Sequence, residues 1–239
     1  MTRLYRFTHN NVELVSDDNN ATQEINIGAI SLSNLVMFSA VLFMNEFRKM
    51  GMADTDVSKT CNMSEWRRRI YAGTGNSQEV DEDVDIMDLP AKHTSQAGVI
   101  YATTTQEPDE GKESFTAFLL AYHKPGMSKT ISASRNAQTT SEPSREAQAL
   151  IASSGVTHIW LCGSDPARRR HRYMTKCLEQ LEQDVRAWRA SGQGSGIMTV
   201  HTIPAAFPGM VQFLLKNGFQ GGDIVVGGEN GKVLYWKEV

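Results

Sequence analysis

The pattern of apolar and polar residues is most regular in the last third of the chain. Residues 156–163 are apolar without alternation, which is typical of a strand covered on both faces. After a turn at residues 164–166, apolar residues recur at the spacing of one helical face. That face consists of Met174, Cys177, Leu178, Leu181, Val185 and Trp188, and glycines between residues 192 and 196 end the helix. The pattern predicts a strand, a short turn and an amphipathic helix.

The remainder of the C-terminal part continues with alternating elements. Residues 197–203 form a further predicted strand, and Pro208 suits the first turn of a helix that Asn217 and Gly218 end. The runs "DIVVGG" and "GKVLYWKEV" then predict a closing hairpin.

The first half of the chain predicts two helices. Ser31 or Ser33 caps the first, which runs to about residue 50 and is apolar enough to be buried on most sides. Ser64 is the expected cap of the second, in "MSEWRRRIYAG", and Gly73 is its stop.

Three strands are predicted in the same half, and two segments have no regular pattern. The strands are residues 4–8, 97–105 and 114–123, of which the last two form a hairpin. Residues 79–88 are an acidic run, for which a solvated loop is favoured over a metal site. Residues 125–154 are polar and form an expected insertion or lid. One domain over residues 1–239 is the prediction.

Composition narrows the class of protein. The chain has 239 residues, is 40% hydrophobic and 21% charged, and has a net charge of −3. This balance supports a buried core and disfavours nucleic-acid binding, so the arginine cluster at 168–172 has a local purpose. The cysteines, Cys61, Cys162 and Cys177, have no metal-ligand spacing, so we expect reduced thiols and no metal. An N-terminus without a signal-peptide pattern and no apolar run of spanning length predict a cytoplasmic protein with no membrane partner.

The arginine cluster stands where proteins hold phosphates. A strand, a short loop and a helix N-terminus present unpaired N–H groups to an anion, and arginines add charged hydrogen bonds. Neither GxxxxGK[ST] nor GxGxxG is present. A solvated turn and a nucleic-acid contact stay open as alternatives, but the element order favours a cofactor phosphate.

The stretch "WLCGSDPARRRHRYMTKCLEQL" resembles the acetyl-CoA motif of the GNAT superfamily of N-acetyltransferases, [Q/R]-x-x-G-x-[G/A] at a helix start. In that alignment Arg169 takes the first position, Arg172 the first glycine and Met174 the last small residue. The resemblance covers residues 156–219, where "LLKNGF" also fits, and extends to residues 1–123 by element order alone. It implies an α/β fold in which a mixed central sheet splays between two middle strands and carries helices on both faces.

The resemblance also implies acetyl-CoA as co-substrate and a set of contacts to it. In the family the cofactor lies along the strand at 156–163, where a backbone N–H at or near Cys162 would bond the thioester oxygen. The implied cofactor-binding residues are Leu161, Cys162, Gly163, Ser164, Arg169, Arg170, His171, Arg172, Tyr173, Met174 and Thr175.

Two histidines are the candidate catalytic residues. His158 falls where family members that acetylate protein N-termini have a tyrosine, and His201 falls within one residue of their histidine. Imidazole has an ordinary pKa of about 6.5 and accepts a proton at cellular pH. The resemblance therefore implies His201 as base and His158 as assistant or relay. Packing roles for both, and a nucleophilic Cys162, are the alternatives.

The implied reaction is direct attack of an amine, from a small molecule or peptide, on acetyl-CoA in a ternary complex. Two departures from the motif favour a non-catalytic, acyl-CoA-binding alternative. Arg172 replaces a glycine, and Leu214 stands where the family often has a general-acid tyrosine.

Overall fold

The computed structural model describes residues 2–8, 11–17, 30–49, 61–72, 98–106, 113–124, 155–225 and 231–239. Three predictions lie outside these residues, namely the acidic loop at 79–88, the helix stop at Gly73 and the insertion at 125–154.

The described chain contains both strands and helices, and its strands pair in both parallel and antiparallel directions, which confirms the predicted α/β class with a mixed sheet. The elements are β1 (Thr2–Thr8), β2 (Asn11–Asp17), α1 (Leu32–Lys49), α2 (Met63–Ala72), β3 (Val99–Gln106), β4 (Glu113–Lys124), β5 (Val156–Ser164), a 3₁₀ turn (Pro166–Arg168), α3 (Tyr173–Ala190), β6 (Ile197–Thr202), α4 (Pro208–Lys216), β7 (Gln220–Val225) and β8 (Val233–Glu238).

The chain divides into two compact units. The first comprises Met1–Ala121 and Leu161–Leu181, and the second comprises Tyr122–Trp160 and Glu182–Val239. A single acetyltransferase domain over residues 1–239 stays a prediction.

The helix caps of α1 and α2 follow from short polar side chains. The hydroxyl of Ser31 accepts from the N–H of Asn34 at 3.2 Å, which confirms the cap of α1. The predicted Ser64 cap of α2 is wrong, because the side chain of Asn62 accepts from the N–H of Glu65 at 2.8 Å and Ser64 already lies inside the helix.

The apolar content of helix α1 predicted burial on most sides. The observed burial is less extensive. Leu35 and Ser39 are fully buried, whereas Met37 and Val41 are 65% and 60% exposed. The last two are one turn apart, so an apolar edge of the helix stays on the surface.

Strands β2-β1-β3-β4 pair in that order in the first unit, and every ladder is antiparallel. The sequence predicted the hairpin of β3 and β4, but it did not predict strand β2. In this unit Phe118 of β4 contacts the rings of Phe38 and Phe43 on α1 and of Trp66 on α2, and Trp66 is fully buried. These aromatic contacts hold α1 and α2 on the sheet.

The second unit contains the parallel pair β5-β6 and the antiparallel pairs β6-β8 and β8-β7. Parallel neighbours need a crossover connection, and α3 lies between β5 and β6 in the chain. The predicted apolar face of α3 is confirmed, because four of its six residues are at most 1% exposed: Cys177, Leu178, Leu181 and Val185.

Candidate functional site

Asp165 anchors the turn that leads from β5 to α3 in the first unit. Its N–H donates to the carbonyl oxygen of Thr116 at 2.8 Å, and its carboxylate accepts from the N–H of Ala167 at 2.9 Å. Pro166 follows in the first turn of the 3₁₀ helix, where its missing N–H leaves no hydrogen bond unmade. The short loop predicted from these residues is thus held by one hydrogen bond within the turn and one to β4.

Arg168 ties this turn to the sheet. Its Nε lies 3.5 Å from a carboxylate oxygen of Asp165, and its Nη1 donates to the hydroxyl of Thr105 on β3. The first of the four arginines in the cluster therefore has a structural role.

Arg170 and Arg172 have a left-handed backbone, with φ of 74° and 61°. Residues with a Cβ adopt this conformation at a cost of about 1 kcal/mol or more each, whereas glycine adopts it freely. Arg172 takes the place of the first glycine in the acetyl-CoA motif, so the backbone keeps the conformation that glycine favours although the residue has changed.

The side chain of Arg172 is directed along α3. Its guanidinium lies 2.9 Å from a carboxylate oxygen of Glu179, and the two side chains are 73% and 52% exposed. An exposed ion pair of this kind contributes about 0–1 kcal/mol. The ion pair offsets only part of the backbone strain.

We expect Arg172→Gly to be more stable than Arg172→Ala by roughly 1 kcal/mol. Both variants lose the ion pair with Glu179, but only glycine relieves the left-handed strain. Urea denaturation of the two variants measures the difference. Equal stabilities would show that residue 172 is not held at positive φ.

The first turn of α3 offers backbone donors. Lys176 makes the first helical bond, from its N–H to the carbonyl oxygen of Arg172 at 2.9 Å. The N–H groups of Tyr173, Met174 and Thr175 precede it and have no carbonyl partner within the helix. Together with the positive end of the helix dipole, these donors suit an anion.

The eleven predicted cofactor contacts lie in one continuous part of the first unit. Leu161, Cys162, Gly163 and Ser164 end β5 and are half-buried, and residues 169–172 are exposed. Tyr173, Met174 and Thr175 start α3, and the rings of His171 and Tyr173 stack at a centroid distance of 5.5 Å. Their role as cofactor contacts stays a prediction.

Cys162 is a poor candidate for a nucleophile. Burial raises the pKa of its thiol to about 12. The thiolate is the reactive form, so the sulfur stays protonated and unreactive at neutral pH. The packing interpretation of this cysteine is therefore favoured.

The second unit brings the two candidate catalytic histidines together. The ring centroids of His158 on β5 and His201 on β6 are 4.9 Å apart. His158 is 4% exposed, and its Nδ1 lies 2.9 Å from the hydroxyl oxygen of Thr199. The ring of Tyr122 meets His158 edge-on at a centroid distance of 5.5 Å. The sequence identified the two histidines as candidates, but it did not predict that their rings lie in contact.

His201 is held neutral by its surroundings. Burial, followed by the positive charges of Lys124 and Lys232, lowers the pKa of its imidazole to about 4. Its Nε2 is buried and has no hydrogen-bond partner among the described residues. Within the described parts of the chain, His201 therefore contributes a neutral ring with a buried Nε2.

The lowered pKa of His201 makes the stability of the fold depend on pH. In the unfolded chain the pKa is about 6.5, so between about pH 6.5 and 4 the unfolded state binds more protons. The free energy of unfolding should therefore fall as pH drops through this window, by roughly 1–2 kcal/mol after allowance for partial exposure. His123, whose pKa burial also lowers, adds a loss of the same sign.

Urea denaturation at pH 7 and pH 4.5 tests this dependence. The variant His201→Gln should lose part of the difference that the original chain shows. An identical pH difference in both proteins would show that His201 titrates normally in the fold.

Thr199 and Tyr122 are contacts of His158 that the sequence analysis missed. Thr199 lies two residues before His201 in β6, so strand alternation places both on one face of the sheet. That alternation is a signal present in the sequence. Tyr122 carries no such signal, because its contact with His158 depends on the fold.

Leu214, at the position of the family's frequent tyrosine, is 2% exposed and belongs to the core of α4. It offers no acid group. Among the described residues no cluster of three histidine, cysteine or carboxylate side chains could hold a metal ion. In the same part of the chain, no helix is both long enough and apolar enough to cross a membrane.

Comparison with known proteins gives similarity in structure but not in sequence. No family model matches the chain, and no curated protein matches it. Similar solved structures include the PaiA N-acetyltransferase of Thermoplasma acidophilum in complex with coenzyme A, at 8% identity and a TM-score of 0.49, over 88% of this chain and 94% of that one.

Two further similar structures have shorter overlaps. Arabidopsis thaliana NAA60 in complex with a bisubstrate analogue has 15% identity and a TM-score of 0.38, over 59% of this chain and 76% of that one. A GNAT-family acetyltransferase of Staphylococcus aureus Mu50 has 11% identity and a TM-score of 0.38, over 66% and 80%. Likeness at this level transfers neither activity nor ligand to this chain.

Proposed function

We propose that this chain is an N-acetyltransferase that moves an acetyl group from acetyl-CoA to an amine of a small molecule or peptide. One observation carries the proposal. β5, a proline-led turn and the N-terminus of α3 follow one another, and the backbone is left-handed at Arg172, where the acetyl-CoA motif has glycine. At the position aligned with the motif's glycine, Arg172 thus has the backbone conformation that glycine favours.

The residues of the turn fit a pyrophosphate. The N–H groups of Tyr173, Met174 and Thr175 supply donors that the helix leaves unused. Arg169 and Arg170 are exposed and add positive charge. Arg168 and Arg172 are engaged with Asp165 and Glu179, so they contribute charge at a distance.

Acetyl-CoA would supply an acetyl thioester, whose carbonyl carbon the amine attacks directly, so that a C–N bond forms, the C–S bond breaks and CoA leaves as the thiolate. A backbone N–H at the end of β5, at or near Cys162, would polarise the carbonyl oxygen. The protonated Cys162 thiol supports direct attack over a covalent acyl-enzyme. The residues of the chain therefore bind acetyl-CoA, orient the amine and accept its proton.

His201 is the proposed proton acceptor. Its imidazole is neutral, and its Nε2 has no partner in the described part of the chain, so it is able to accept a hydrogen bond from the amine and take its proton as positive charge develops on nitrogen. A base with a pKa of about 4 does not deprotonate a free alkylammonium ion. The acceptor must therefore enter as a neutral amine.

The second candidate is a non-catalytic acyl-CoA-binding domain. Leu214 favours it, because this buried side chain cannot protonate the departing thiolate as a tyrosine would. In that case the turn would bind acyl-CoA and the histidines would only pack.

Acetyl-CoA turnover with a panel of small amines and peptide N-termini tests the proposal. Release of free thiol that depends on the amine, together with an acetylated product detected by mass spectrometry, is the expected result. Tight acetyl-CoA binding without thiol release for any amine would favour the second candidate. Absence of both binding and release would overturn the two together.

A further inference from the structure

Thr199 contacts one of the two candidate catalytic histidines at the ring nitrogen that decides its tautomer. His158 and Thr199 are partners in the parallel β5-β6 ladder, so their side chains lie on one face. The hydroxyl oxygen of Thr199 is 2.9 Å from Nδ1 of His158, and the residues are 0% and 4% exposed. We propose that Thr199 is a positioning residue that holds His158 with its proton on Nε2. His158 then donates a hydrogen bond through Nε2, and His201 accepts the proton of the amine.

The direction of the hydrogen bond follows from what a buried hydroxyl needs. A threonine hydroxyl has one donor and two acceptor positions, and a buried donor without a partner is expensive. Among the described residues, Nδ1 of His158 is the hydrogen-bond partner of this hydroxyl. Thr199 therefore donates to Nδ1. A neutral imidazole that accepts at Nδ1 carries its proton on Nε2.

This tautomer divides the roles within the histidine pair. With Nε2 protonated, neutral His158 has no nitrogen left to accept a proton while Thr199 donates to Nδ1. The ring of His201 lies 4.9 Å away, and its buried Nε2 has no hydrogen-bond partner among the residues that the structure describes. The proton that leaves the amine nitrogen is thus taken by Nε2 of His201. Neutral His201 carries its own N–H proton on Nδ1, so the transfer converts it to an imidazolium.

The charges around His201 agree with this assignment. Lys124 and Lys232 lower its pKa, and burial lowers it more, so the ring is neutral before the reaction. The ring of Tyr122 meets the His158 ring edge-on. Neutral His201, the acceptor, thus lies beside neutral His158, the donor, and the hydroxyl of Thr199 fixes this arrangement.

The tautomer is measured on the full chain without any activity assay. In protein labelled with ¹⁵N-histidine, the ring ¹⁵N chemical shifts distinguish a protonated nitrogen from an unprotonated one, and His158→Gln identifies the His158 signals. We expect an unprotonated Nδ1 and a protonated Nε2 in the original chain and in Thr199→Ser. Thr199→Val, which keeps the shape but lacks the hydroxyl, should show a mixture. A protonated Nδ1 in the original chain, or an unchanged spectrum in Thr199→Val, would overturn the proposal.

A comparison of kcat among the Thr199 variants rests on the proposed function, so its result is interpreted separately from the tautomer measurement. Thr199→Val should lower kcat about 10-fold, as expected for one lost buried hydrogen bond, while KM for acetyl-CoA stays the same. Thr199→Ser should stay within about 3-fold of the original, because it keeps the donor. An unchanged kcat in Thr199→Val would refute the positioning role. If no amine is acetylated by any variant, the acetyltransferase proposal fails and the tautomer measurement still decides the role of Thr199.

Discussion

Replacement of His201 by alanine is expected to lower turnover by about 10²–10⁴-fold, the usual range for loss of a general base. The effect should be this large because the buried Nε2 of His201 is the proposed proton acceptor. Binding of acetyl-CoA should change little, since the proposed phosphate contacts belong to residues 169–175. Single-turnover kinetics and a separate binding measurement distinguish the two effects.

His123→Ala is the matched control, because His123 is also a histidine of the second unit whose pKa burial lowers. It should keep turnover within about 2-fold. In the original chain, rates corrected for the fraction of neutral amine should fall only near pH 4, where His201 is protonated. A fall near pH 6.5 that persists in His201→Ala would mean that another group accepts the proton.

Replacement of Arg169 by alanine is expected to weaken acetyl-CoA binding by about 1–3 kcal/mol, roughly 5- to 150-fold, as for a lost charged hydrogen bond. Arg169 takes the first position of the acetyl-CoA motif and is exposed at the turn before α3. Calorimetric titration with acetyl-CoA and with CoA measures the loss, which should be similar for both ligands because they share the pyrophosphate.

Arg186→Ala provides the control for charge alone. Arg186 is exposed on α3 and pairs with Glu182 at 3.2 Å, beyond the first turns of the helix. Its loss should leave affinity within about 2-fold. Equal weakening by both substitutions would show a general charge effect, and no weakening by either would remove Arg169 from the site.

The sequence predicted the elements whose signals are local. Periodicity located α3, and Pro166 and Pro208 located the starts of the 3₁₀ turn and of α4. β2 was missed because "NVELVSD" has only three apolar residues, and its pairing with β1 depends on a partner. The burial of α1 was overestimated for a similar reason, since composition does not tell which apolar residues face the sheet.

The candidate site divides in the same way. The resemblance predicted residues 161–164 and 169–175 as cofactor contacts and gave the two histidine positions, but the contact between the rings depends on the pairing of β5 with β6. The low pKa of His201 arises from burial and from Lys124 and Lys232, which are distant in sequence. Long-range electrostatics of this kind has no periodic signal. The left-handed backbone at Arg172 was equally hidden, because an arginine gives no indication of positive φ.

The left-handed arginines also affect how the turn behaves before a ligand arrives. A glycine at position 172 would leave the free turn many backbone conformations, all but one of which would be lost on binding. Arg170 and Arg172 have fewer conformations open to them, so less conformational entropy is lost when a ligand orders the segment. If the turn binds acetyl-CoA as proposed, the folded chain already holds Arg170 and Arg172 at positive φ before the ligand arrives, so the strain and a smaller entropy loss on binding would be two effects of the same pair of residues.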